Sequence, residues 1–106
     1  MVILEVQSCL NKKVRLTRTQ WDHTVFRHRE LRGQQEKVIQ TLQDPDIVLY
    51  SQTEDNYQYY RYYPNTPVSG KYLLAIVKHL NDEGFVITVF FLNKIKEKGK
   101  VKAYER

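Results

Sequence analysis

The chain has 106 residues, room for one domain with one core, and a globular composition of 42% hydrophobic and 27% charged residues. No apolar run is long enough to span a bilayer, and "MVILEVQ" has neither the length nor the charged opening of a signal peptide. The formal charge of +5 is concentrated in "KIKEKGKVKAYER", residues 94–106, which hold six basic and two acidic side chains; such a segment attracts polyanions without selecting one.

"MVILEVQ" and "VRLT" read as short β runs around the polar turn "SCLNKK". The single Cys9 cannot form an internal disulfide, which fits a cytoplasmic protein. Thr17 followed three places later by Gln20 is a capping-box pattern, so a helix is expected from about Arg18 to Arg32. Trp21, Val25, His28 and Leu31 share one stripe of it. Gly33 breaks that helix, and a second covers "QQEKVIQTLQ" until "DPD" ends it. Strands follow: "DIVLYSQ", a tyrosine-rich run, then "KYLLAIVKHL" and "GFVITVFFLN" as a hairpin. The last two are apolar at nearly every position and belong at the centre of the sheet. The expected fold is an α+β domain over residues 1–93, with two N-terminal helices packed on a mainly antiparallel four- to five-stranded sheet. Residues 94–106 read as a basic C-terminal tail.

Candidate functional residues are those that break a burial pattern. His28 shares the stripe of Trp21 and Val25. Lys78 interrupts "LLAIV–HL", and Thr88 interrupts "FVI–VFF". A buried lysine is costly unless it is paired or solvated in a cleft. Each residue also has a structural explanation: a snorkelling lysine, an ordinary strand threonine, a satisfied core histidine. Together with Arg61 they describe an imidazole facing an ammonium, a guanidinium and a hydroxyl. His23 lies about 140° around the helix from His28 and shares a face with Arg27.

Three histidines and one cysteine give no metal-ligand spacing, and no cofactor motif is present. Imidazole, cations, hydroxyls and phenols without a metal suit the cleavage of RNA by its own 2′-hydroxyl. That reaction needs a base, an acid, and cations to hold the phosphorane. Phenols can stack on unpaired bases, and five of the seven residues Tyr57–Tyr63 are tyrosine.

"WDHTVFRHREL", "LQDPDIVLYS", "YYRYYPNTPVSGKYLLAIVK" and "FVITVFFLNKIKEKGK" together resemble small phage and cyanobacterial proteins of the barnase–EndoU–colicin–RelE superfamily of metal-independent ribonucleases. The resemblance covers residues 14–100. It implies His28 as general acid or base, Arg61 and Lys78 as phosphorane clamps, and Thr88 as a phosphate or ribose ligand. It also implies Arg27 and Lys71 as supporting phosphate contacts. Relatives often have Thr-x-Tyr on the last core strand, whereas this chain has Thr88, Val89 and Phe90; Tyr59 or Tyr63 would have to supply any phenol the chemistry needs. By alternation, Tyr57, Tyr59, Arg61 and Tyr63 share one face, taken as the substrate side, and Tyr60 and Tyr62 the other.

The function these readings imply is a metal-independent endoribonuclease with RNA as substrate. The class implies a toxin with an antitoxin protein partner, or a phage effector, with no membrane and no cofactor. The alternative is a binding module for RNA or protein on the same fold, without catalysis. A purely structural or oligomeric role through the tyrosine strand is the third possibility.

Overall fold

Every β-type run in the sequence becomes a strand, and all of them enter a single sheet. The computed structural model describes residues 1–106. Its strands are β1 (Val2–Gln7), β2 (Lys13–Thr17), β3 (Ile47–Ser51), β4 (Asn56–Tyr62), β5 (Tyr72–Leu80), β6 (Glu83–Leu92) and β7 (Val101–Glu105). They lie in the order β1-β2-β6-β5-β4-β3-β7. The helices are α1 (Arg18–Arg27) and α2 (Gln35–Gln43), with a 3₁₀ turn at Arg29–Leu31.

This corrects the expected fold. The molecule is 21% helix and 44% strand, a seven-stranded sheet with two short helices. It is not a four- to five-stranded sheet carrying two N-terminal helices. Two segments account for the difference. The first hairpin joins the sheet through a three-residue parallel pairing of Lys13–Arg15 with Glu83–Phe85. The basic tail is not a tail: "VKAYE" pairs antiparallel with β3, and Tyr104 packs against the main core. Four of its five residues are exposed and only Tyr104 is partly buried, so no apolar pattern marked it as a strand.

The rest of the sheet follows from apolar content. β5 is the middle strand of the seven, with β6 beside it, as their near-continuous hydrophobic runs require. Turns between antiparallel neighbours place Asn11, Asp55 and Asn81 at φ between 53° and 59°, a left-handed conformation that Asn and Asp tolerate better than other side-chain-bearing residues. Gly70 is required by contact, since a Cβ there would lie 2.9 Å from the backbone nitrogen of Leu92.

One face of the sheet carries the main core. Val14, Leu16, Val48, Tyr59, Leu73, Ala75, Val77 and Val89 meet Trp21 of α1, Leu31 of the turn, and Val38 and Leu42 of α2. The other face has a smaller cluster of Ile47, Leu49, Tyr60 and Leu74, which Ile95 helps to cover from the segment between β6 and β7.

α1 begins where expected. The Thr17 hydroxyl accepts from the backbone N–H of Gln20 at 3.2 Å, satisfying one orphan donor of the first turn. The helix ends five residues early, because His28 adopts φ −132°, ψ 78°. β6 contains a bulge: Val77 pairs with Val86 and Ile76 with Thr88, so Ile87 is the extra residue. Beyond Phe85, β6 has no strand neighbour on its β2 side. α1 lies against this part of β6, where the Gln20 side chain donates to the Ile87 carbonyl. No helix is long and apolar enough to cross a membrane.

Candidate functional site

The nine residues singled out in the sequence separate into two groups. His28, Arg61 and Lys78 do not meet. Arg61 pairs in register with Leu73 and Lys78 with Phe85. Leu73 and Lys78 are five residues apart on β5, about 17 Å along the strand, and project from opposite faces. Each cation already has a carboxylate. Arg61 Nη1 is 3.0 Å from Asp44 Oδ2 and also donates to the Asp44 carbonyl. Lys78 Nζ is 2.6 Å from Asp55 Oδ2. These partners leave their mark: Arg106 and Arg61 hold Asp44 below the usual carboxylate range, and Lys78 with Tyr50 does the same to Asp55.

The tyrosine face chosen as the substrate side is the main core face. Tyr59 is fully buried and Tyr63 nearly so, while Tyr57 packs against the same cluster. Tyr59 Oη lies 3.0 Å from Ser8 Oγ and 3.1 Å from His79 Nε2, a polar chain buried at Ser8 and Tyr59 and half-buried at His79. Burial pushes the Tyr59 phenol up and the His79 imidazole down to about 4. His79 Nδ1 is buried without a partner. Gly84 makes room for this ring, since a Cβ there would sit 3.0 Å from Nδ1. Tyr63 Oη donates to the Lys37 carbonyl at 2.9 Å, and the Arg61 guanidinium lies 5.6 Å from the Tyr63 ring centre. Lys71 Nζ holds the loop before β5, donating to Thr66 Oγ1 and the Val68 carbonyl. Burial pushes the Cys9 thiol up to about 11, away from the reactive thiolate. No three His, Cys, Asp or Glu side chains are grouped to hold a metal ion.

His23, Arg27 and Thr88 do come together. With Gln20, Thr24 and Ile87 they line a cleft of about 260 Å³ between α1 and the β6 bulge. Gln20, His23, Thr24 and Arg27 fall at i, i+3, i+4 and i+7, one flank of a helix. Thr24 is 2% exposed, and its hydroxyl is buried with no partner. His23 and Arg27 are exposed, and neither has an ion-pair partner. His28 borders the same stretch of β6. Its ring stacks on Phe90, with centroids 5.4 Å apart, and Nδ1 lies 3.7 Å from Glu30 Oε2. Thr88 and Phe90, two residues apart, project from the same side of the strand. A larger cleft of about 400 Å³ contains Glu30, Lys94 and Lys96 but no imidazole.

The cations differ in their engagement. Arg15, Arg61 and Arg106 are all tied to carboxylates. Arg18, Arg27, Arg29 and Arg32 have none within 4.0 Å, and all four lie on α1 or the turn after it. Gln20 and Thr24 break no burial pattern in the sequence, although their spacing with His23 and Arg27 is a readable sign of a shared flank. No protein-family model, no curated protein and no solved structure matches this chain.

Proposed function

We propose that the protein binds RNA through α1, with the cleft between α1 and the β6 bulge holding a backbone phosphate. The observation that carries this reading is the grouping of four carboxylate-free arginines on one short segment, one of them lining a cleft with an imidazole and hydroxyl-bearing residues. Arginine presents a planar fork of donors suited to phosphate, and a guanidinium without a carboxylate is free to use it. His23 and Thr88 supply further polar groups at the same place. The basic segment after β6 adds long-range attraction for a polyanion.

Binding of this kind depends on salt. Affinity for a labelled RNA oligonucleotide, read by fluorescence anisotropy, falls log-linearly as salt rises, with a slope set by the number of phosphates neutralised. Arg27→Ala weakens binding and flattens that slope by about one unit. Salt-independent binding, or an unchanged slope in Arg27→Ala, would rule out this site.

Cleavage in the same cleft is the second reading, favoured by the presence of two imidazoles along one stretch of β6. In it, His23 accepts the 2′-hydroxyl proton as the 2′-oxygen attacks phosphorus. Arg27 neutralises the phosphorane, and His28 protonates the departing 5′-oxygen. The product is a 2′,3′-cyclic phosphate. The ring against His28 is a phenyl, so Phe90 has no proton to give. The resemblance to metal-independent ribonucleases supports this reading, and an antitoxin partner and cytoplasmic location belong with it. Incubation with total RNA, with and without EDTA, separates the two readings. Cleavage that survives EDTA and falls about 10²–10⁴-fold in His23→Ala supports catalysis; intact RNA supports binding alone.

A further inference from the structure

α1 has a second flank, and an aromatic ring stands on it without a partner. Phe26 is 81% exposed, whereas its neighbour Val25 packs against the main core. Phe26 borders a shallow cleft of about 360 Å³ with Asp22, Val25, Arg29 and Arg32. The ring is thus flanked in sequence by Arg27 and in space by Arg29 and Arg32, all three free of carboxylates. Neither Asp22 nor Glu30 makes an ion pair with them; the Glu30 carboxylate approaches His28 instead, at 3.7 Å.

A lone ring among guanidiniums suits one kind of occupant. A membrane-seeking helix needs a continuous apolar face, but Trp21 of α1 is buried within the protein and Val25 packs against the core. A duplex presents phosphates yet hides the flat faces of its bases. A single strand offers both, and base–aromatic stacking contributes about 1–3 kcal/mol per base. Building on the RNA-binding reading, we propose that Phe26 is a base-stacking platform and that the nucleic acid held at α1 is single-stranded RNA. The strand crosses α1 with a phosphate at Arg27 on the cleft side, a base on Phe26, and the next phosphates at Arg29 and Arg32.

The experiment compares three probes at one salt concentration: a fluorescein-labelled single-stranded RNA, the same RNA annealed to its complement, and labelled heparin, a polyanion without bases. The single strand is expected to bind more tightly than the duplex. Phe26→Ala weakens the single strand about 5- to 150-fold, the factor equivalent to one stacked base, and leaves heparin unchanged. Phe26→Trp retains the affinity of the parent, and circular dichroism should show all variants equally folded. Duplex binding as tight as the single strand, or an equal loss of heparin affinity in Phe26→Ala, overturns the proposal. RNA binding that ignores Phe26 overturns it alone. A parent protein that binds neither RNA nor heparin overturns the reading beneath it as well.

Discussion

β4 and α1 carry the two richest sets of chemically active side chains in the molecule, and they use them in opposite ways. On β4 and the residue after it, Tyr57, Tyr59, Tyr60, Tyr63 and Arg61 are spent on the fold, and only Tyr62 stands half exposed. Tyr59 joins Ser8 and His79, Tyr63 just after the strand donates to the Lys37 carbonyl in the first turn of α2, and Arg61 clasps Asp44. On α1 and the turn after it, four arginines and a phenylalanine have no such employment. A residue type alone does not announce a site; its freedom from internal partners does.

The largest expected effect breaks β4. Tyr59→Ala removes a fully buried ring and should destabilise the protein by about 3–5 kcal/mol, the range for aromatic-to-alanine changes in cores. Urea unfolding measures this, and a loss below about 1 kcal/mol would show that the ring is not part of the core. Gly70→Ala comes next: the added Cβ meets the Leu92 backbone, and crowding of this kind costs about 1–3 kcal/mol. A melting temperature equal to the parent's would contradict the close approach.

Acid should weaken the β4 side of the comparison. The His79 pKa is lowered to about 4 in the fold, from an ordinary value near 6.5. The unfolded chain therefore binds a proton at higher pH than the folded one does. This contribution to stability is fully present above about pH 6.5 and is lost as pH falls toward 4. His79→Gln should flatten the stability profile across that window, and an unaltered profile would remove His79 as the cause. The smallest effect sharpens the contrast. Arg61→Ala should lower stability but leave RNA affinity per folded molecule within about twofold, since the guanidinium is committed to Asp44. A loss as large as that of Arg27→Ala would return the site to β4.

How much of this was legible depended on which signal a residue carried. Strand positions were plain wherever apolar side chains ran together, as in β5 and β6. The alternation along β4 was also readable: Tyr57, Tyr59 and Tyr63 do share a face. Which face would be buried was not, because tyrosine has an apolar ring and a polar tip and suits either. The partners of Arg61 and Lys78 were hidden too. Asp44 and Asp55 lie 17 and 23 residues away, and only the turns of the sheet bring them near. The shared flank of His23 and Arg27 was visible in their spacing. The Ile87 bulge that completes the cleft opposite them was not, because a bulge is a property of two paired strands. Phe26 is out of phase with Trp21 and Val25, so its exposure is legible in the spacing of α1.

The pairing of Ile47 with Glu105 also bears on how the chain is made. During synthesis β3 emerges long before the segment that will lie along its outer side. Until β7 arrives, a buried-type strand waits with its hydrogen-bonding groups open on one edge, a ready template for another chain. Nascent or truncated forms lacking residues 101–105 should therefore be prone to aggregate, and the closing strand acts as a late-fitted seal.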